Sequence, residues 1–205
     1  DQGKIENIVP VVRNDAHRII EECMLAANVC ASDFLAHHKQ TCLYRIHQGP
    51  TEDRLKNLRA FLGEFGLALG GGDDPKAGDY AVLLEKVKTR PDFQLLQTVM
   101  LRSLKQAMYS PDNVGHFGLA YEHYTHFTSP IRRYPDLLVH RAIKAVLAKA
   151  KYAPAGNWED IGMHCSATER RADEATRDVE NWLKCFYMKE RIGEVFDGTI
   201  SAVTA

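Results

Sequence analysis

The chain has 205 residues, with 26 lysines and arginines against 27 aspartates and glutamates, and a formal net charge of −1 at pH 7. That length suits one domain, or one domain and part of another, and 45% hydrophobic with 26% charged residues is ordinary for a globular protein. A near-neutral balance gives no global argument for nucleic acid. No apolar run approaches the roughly 20 residues of a membrane span, which excludes a transmembrane helix.

Five cysteines, Cys23, Cys30, Cys42, Cys165 and Cys185, show no C-x-x-C spacing and are odd in number. With no signal peptide in view, they are read as reduced thiols of a cytoplasmic protein. Asp1-Gln2-Gly3-Lys4, in place of an initiating Met, is read as the opening of a piece of a longer protein.

Taken in chain order, residues Asn14 to His38 predict a long helix. Ile19, Ile20, Cys23, Met24, Ala27, Cys30 and Phe34 recur at helical spacing as its buried stripe, and Asn14 or Asp15 caps its start. Thr51 to Phe65 predicts a second helix, with Leu55, Leu58, Leu62 and Phe65 on one face and Gly66 as its stop. Gly70 to Pro75 is a loop, and helices follow over 79–88 and 91–109. Gly115 to Pro130 is irregular and rich in His, Tyr and Thr, and the helical pattern resumes after Pro130 as far as Ala150. Tyr152 to Asn157 is a linker. Ser166 and Glu169 form an S-x-x-E capping box for a helix that buries Ala172, Ala175, Val179, Trp182 and Phe186. Val195 to Val203 alternates as a single strand, whose sheet must come from elsewhere. The expected class is α+β, predominantly helical.

The chemistry concentrates between His116 and His140. Ser129-Pro130 breaks the preceding structure, because the residue before Pro is driven out of the helical region. Pro130 suits the first turn of the next helix, with Thr128 or Ser129 as its cap. Free N–H groups and the positive end of the helix dipole then meet Arg132 and Arg133, an arrangement suited to phosphate. Tyr121, Tyr124, Phe127 and Tyr134 offer faces for base stacking. The same residue types also fit a surface helix start with solvated arginines and core aromatics. From Tyr121 to Lys151 the basic residues Arg132, Arg133, Arg141, Lys144, Lys149 and Lys151 outnumber Glu122 and Asp136. His123-x-x-His126 has ligand-like spacing, but no third ligand sits at a regular offset, so contact with phosphate or packing is favoured over zinc.

The order of residues narrows the choice. His116-Phe117-Gly118-Leu119, four residues, Tyr124-Thr125-x-Phe127-Thr128-Ser129-Pro130-Ile131-Arg132-Arg133-Tyr134-x-Asp136, three residues and His140 resembles the signature of the ribonuclease II family at every specified position. The stretches 13–31 and 165–179 look like the RNase R branch of that family, and the likeness runs along essentially the whole chain. The resemblance implies the C-terminal part of an RNB-type catalytic domain over 1–149, a linker and connector helix over 150–193, and the first strand of an OB-fold RNA-binding domain over 194–205. It implies processive hydrolysis of single-stranded and structured RNA from the 3′ end, releasing nucleoside 5′-monophosphates. In the family an acidic cluster holds Mg²⁺, which activates water, and an arginine stabilises charge on the scissile phosphate. By motif match that arginine is Arg132.

A glutamate of the family's Glu-Glu pair contacts RNA near the 3′ end. Glu21 is the matching position, with Glu22 as the other candidate, and Asn28 lies seven residues on, nearly on the same helix face. His126, Thr128, Ser129, Arg133 and Tyr134 complete the expected RNA-binding set. The family allows Lys at the position of Arg133, so general charge or packing serves equally well there. The family's D-x₅-D-x-D-D-like run has no counterpart here, so the metal ligands are expected upstream of Asp1. Single-stranded RNA and that upstream segment are the expected partners, and residues 1–205 alone are expected to be inactive. The alternative is a non-catalytic RNA-binding or regulatory module of the same fold, separated from an enzyme by whether the longer protein carries the aspartate run.

Overall fold

The computed structural model describes residues 5, 8–9 and 12–198. Helix α1 (Asp15–His37) begins with a capping box in which Asn14 accepts from the His17 N–H and the Asn14 N–H donates to the His17 ring. It is followed by β1 (Tyr44–Ile46), α2 (Glu52–Glu64), α3 (Ala77–Val87), α4 (Phe93–Ser103), β2 (Met108–Ser110), a 3₁₀ turn (Phe117–Leu119), α5 (Tyr134–Leu147) and α6 (Trp158–Met188). The chain is α+β and mostly helical, as its periodicity predicts.

Helices α2, α3 and α4 fold together because each carries one apolar stripe. Leu55, Leu58 and Leu62 of α2 meet Leu83 and Val87 of α3 and Leu96 and Met100 of α4. Each such side chain contributes about 1.5–3 kcal/mol when fully buried. Gly66 ends α2 with φ of +67°, a conformation that a residue with a Cβ rarely adopts.

A second core joins Ala31 and Leu35 of α1 to Val139 and Ala142 of α5, with Cys42 beneath. A third ties the remaining elements together through Leu43, Tyr109, Leu138 and Cys165. Here β1 pairs antiparallel with β2, placing Tyr44 opposite Ser110, Arg45 opposite Tyr109 and Ile46 opposite Met108. The first turns of α6 lie directly on β2. At Gly162 an added Cβ would stand 2.7 Å from the Tyr109 carbonyl oxygen, so only glycine lets the helix approach this closely. One turn on, Ser166 Oγ accepts from the Tyr109 N–H at 2.9 Å and donates to the Gly162 carbonyl.

Several expectations are corrected. Residues 108–110 form a strand rather than the end of a helix, because backbone pairing with distant 44–46 overrides the local helical pattern. Helix α1 buries Asn28, Ala31, Ser32 and Leu35, whereas Ile20 is 69% exposed, and Ile19, Cys23 and Cys30 are exposed too. Only the C-terminal half of α1 meets α5, through Ala31, Leu35 and, from the predicted stripe, Phe34. Ser166 and Glu169 do not cap a helix: Asn157 caps α6 by accepting from the Glu159 N–H, which puts both residues well inside it. Beyond them α6 projects into solvent. Ala172 and Ala175 are exposed, as are Val179, Phe186 and Trp182, the last at 65%. Residues 194–198 form no strand, and 199–203 of the expected strand lie outside the described residues.

Candidate functional site

The segment 124–133 has almost no regular structure, so its backbone must be satisfied by its neighbours. Every surrounding element contributes. From α1, the buried Asn28 amide donates to the Tyr124 hydroxyl and its carbonyl accepts from the Phe127 N–H, each at 2.9 Å. From β1, the Arg45 N–H donates to the Tyr124 carbonyl at 2.8 Å, and just before that strand the Leu43 carbonyl accepts from Thr125 Oγ1 at 2.6 Å. From β2, the Tyr109 hydroxyl pairs with His126 Nδ1 at 2.8 Å. From α5, His140 stacks on Phe127 at 4.2 Å between ring centroids and bonds its carbonyl through Nε2 at 2.9 Å.

Asp136 closes the far end. It is 0% exposed, and its Oδ1 accepts from the Ser129 N–H at 2.8 Å and from the Arg133 guanidinium at 2.7 Å. The Ser129 carbonyl accepts from the N–H groups of both Arg132 and Arg133. Residues 129–133 thus form a turn pinned at both ends by one carboxylate. This corrects the predicted helix start. Ser129-Pro130 lies in the turn, α5 begins at Tyr134, and Pro135 occupies the first helical turn where its missing N–H costs nothing. The free N–H groups of a helix N-terminus are therefore not at Pro130.

The turn treats its two arginines differently. Arg133 is only 16% exposed and is committed to Asp136. Arg132 is exposed, and no hydrogen bond or ion pair engages its side chain among the described residues. It stands at the mouth of a cleft of about 400 Å³ shared with Tyr109, Tyr134, Thr168, Glu169 and Asp173. Thr128 Oγ1, Arg133 Nε and Asp136 Oδ2 are buried and unpartnered in the same segment, so its hydrogen-bonding capacity is not fully spent.

Burial sets the protonation states. The Tyr109 phenol is pushed up to about 12 by desolvation, with Arg45 pulling it down and Glu169 adding to the rise. His126 is pushed down to about 3, first by desolvation and then by Arg133, Arg45, His116 and Arg132. His116 falls to about 4, by desolvation and then His47 and Arg45. Both imidazoles are neutral at physiological pH.

A model of the RNB domain family matches residues 1–149. The chain belongs to the RNB domain family. The RNB chain is 52% identical to ribonuclease R of Vibrio cholerae over 217 residues, covering 100% of this chain and 26% of that protein. It therefore spans about a quarter of the length of the relatives it matches. Its fold matches that of Mycoplasma genitalium RNase R solved with ribose-methylated single-stranded RNA, with a TM-score of 0.87 and 30% identity over 95% of this chain and 32% of that one. Yeast Ssd1, a pseudonuclease, shares the fold alone, with a TM-score of 0.61 and 24% identity over 74% of this chain and 19% of that one.

The structure places Ser129, Arg132 and Arg133 on one turn, with Thr128 and Tyr134 flanking it and His126 just before it. Asn28 belongs beneath this group rather than on its surface. It is 0% exposed with both ends of its amide used, which corrects its assignment as a direct RNA contact. Glu21 lies at the N-terminal end of α1 and pairs with Arg13. Sequence reasoning missed Arg45, Tyr109 and Glu169. Arg45 forms a two-pronged ion pair with Glu169, at 2.6 and 3.2 Å, and lies 4.7 Å over the Tyr109 ring. The S-x-x-E spacing that reads as a cap was the one sequence signal, and it serves tertiary contacts instead.

Among the described residues no group of three His, Cys, Asp or Glu side chains could hold a metal ion. Asp136 and Glu169 are committed to Arg133 and Arg45, and Asp173 at the cleft forms no group of three with them. The residues present do not fit a Mg²⁺ site, so no step of the chemistry is assigned to a metal here. No helix among the described residues is long and apolar enough to cross a membrane.

Proposed function

We propose that residues 1–149 are the C-terminal part of the catalytic domain of a cytoplasmic 3′→5′ exoribonuclease, and that Arg132 is its phosphate-contacting residue. Residues 150–193 then connect to an OB-fold RNA-binding domain that begins at 194. The full-length protein hydrolyses single-stranded and structured RNA processively to nucleoside 5′-monophosphates, with Mg²⁺ held by aspartates outside residues 1–205. The observation that carries this reading is the pinned turn, which spends one arginine on its own closure and leaves the other unpaired at a cleft. A guanidinium left unpaired on a turn whose backbone is fixed is free to stabilise charge developing on a phosphate. Tyr134, 46% exposed beside it, offers a face for a base. In this reading Ser129, Thr128, Arg133 and His126 bind RNA beside it, and Glu21 meets RNA farther along α1.

A second reading is a non-catalytic RNA-binding or regulatory module of the same fold, since a fold alone does not fix catalysis. One experiment separates them. Full-length protein and residues 1–205 are each incubated with 5′-labelled single-stranded RNA and Mg²⁺. Stepwise shortening with release of mononucleotides by the full-length protein, and none by residues 1–205, supports the exonuclease. RNA binding without shortening by the full-length protein supports the second reading. Shortening by residues 1–205 alone would show that no upstream metal ligands are needed.

A further inference from the structure

His126 sits inside the signature segment, yet its role depends on which ring nitrogen carries the proton. The Tyr109 hydroxyl lies 2.8 Å from Nδ1, and among the described residues neither the hydroxyl nor Nε2 has another partner. A neutral imidazole carries one N–H and a phenol one O–H. Were Nδ1 the donor, the buried Tyr109 O–H would be left with no acceptor. With the phenol as donor, the buried hydroxyl is satisfied and the imidazole proton resides on Nε2, which is not among the buried unpartnered atoms and so is open to a ligand. We propose that Tyr109 is a positioning residue that donates to His126 Nδ1 and so holds Nε2–H as a neutral donor for an oxygen of RNA, either a phosphate or a ribose hydroxyl oxygen.

The surroundings support this assignment. Tyr109 cannot swing away: its N–H is held by Ser166 and its ring lies under Arg45, which Glu169 fixes in turn. Burial keeps the phenol protonated, and burial together with Arg133, Arg45, His116 and Arg132 keeps the imidazole uncharged. Tyr109 lines the cleft at which Arg132 stands, which sets the proposed neutral donor beside the charged one. Their roles differ. A neutral donor displaces no counterions, so its contact adds alignment without adding salt dependence.

The inference rests on the exonuclease reading and is tested in the full-length protein with a short 5′-labelled single-stranded RNA. Tyr109→Phe keeps the ring and its contact with Arg45 while deleting the donor. His126→Gln places an amide N–H near the Nε2 position without needing a partner at Nδ1. Tyr109→Phe is expected to lower single-turnover cleavage about five- to thirty-fold, the equivalent of one misaligned hydrogen bond. In the His126→Gln background the same substitution is expected to change the rate less than two-fold. The slope of log Kd against log salt is expected to be the same in all four proteins. A Tyr109→Phe loss of equal size in both backgrounds, or no loss in either, would overturn the proposal, and the active wild-type protein would leave the exonuclease reading standing. A wild-type protein that does not shorten RNA would overturn both.

Discussion

Asp136 is the side chain on which the turn depends, and its removal has two separable consequences. The carboxylate is 0% exposed, and Arg133 is 16% exposed. Asp136→Ala leaves an uncompensated, nearly buried guanidinium and an orphaned Ser129 N–H, and breaking a buried pair from one side costs about 3–5 kcal/mol. Asp136→Asn keeps an acceptor for the Ser129 N–H and loses only the charge, so it should cost roughly half as much. The pair replaced together, Arg133→Met with Asp136→Leu, removes both charges and should return stability to within about 2 kcal/mol of wild type. The turn nevertheless remains unpinned in that double variant, so Arg132 is no longer held in place. Urea unfolding of the full-length protein and single-turnover RNA shortening read the two effects separately. The double variant should recover stability but not cleavage. Wild-type stability in Asp136→Ala, or full cleavage in the double variant, would refute the assignment of Asp136 as the anchor.

Three further outcomes follow from the same contacts. Asn28→Ala strands the Tyr124 hydroxyl and the Phe127 N–H and should cost about 2–4 kcal/mol, measured by urea midpoint; an unchanged midpoint with weakened RNA binding would return Asn28 to the ligand surface. His116 and His126 have folded-state pKa values of about 4 and about 3, below the ordinary 6.5, so the unfolded chain takes up protons first as pH falls. The stability they contribute is complete above pH 6.5 and is lost progressively down to about pH 4 for His116 and about pH 3 for His126, so the urea midpoint should be lower at pH 5 than at pH 7.5, and less so in His126→Gln. Lys144, Lys149 and Lys151 are exposed, and neutralising all three should shallow the salt dependence of single-stranded RNA binding by about 2 in log–log slope if they track the backbone. Identical slopes would show that they are merely solvated.

Helices α1, α2, α3 and α5 were legible because apolar residues at helical spacing report on neighbours within a turn or two. The strands were not. Tyr44–Ile46 and Met108–Ser110 are three residues each and take their stability from pairing across the chain, which no local window contains. The apolar residues of α1 and α6 misled in the opposite direction: Ile20 and Trp182 fit a helical stripe but face solvent. In the site, residue order pointed to the turn and to Arg132. It could not show that Asp136 pins that turn, that Asn28 lies beneath it, or that Tyr109 reaches His126, because each is a tertiary contact between elements far apart in sequence.

The central claim is that the turn presents Arg132 to the scissile phosphate. Its most direct test is Arg132→Ala in the full-length protein, with the single-turnover cleavage rate and the affinity for a short single-stranded RNA measured on the same preparation. Loss of a charge partner that acts in the transition state predicts a rate lower by about 10²–10³ with affinity changed far less. An unchanged cleavage rate, or a loss confined to affinity, would contradict it.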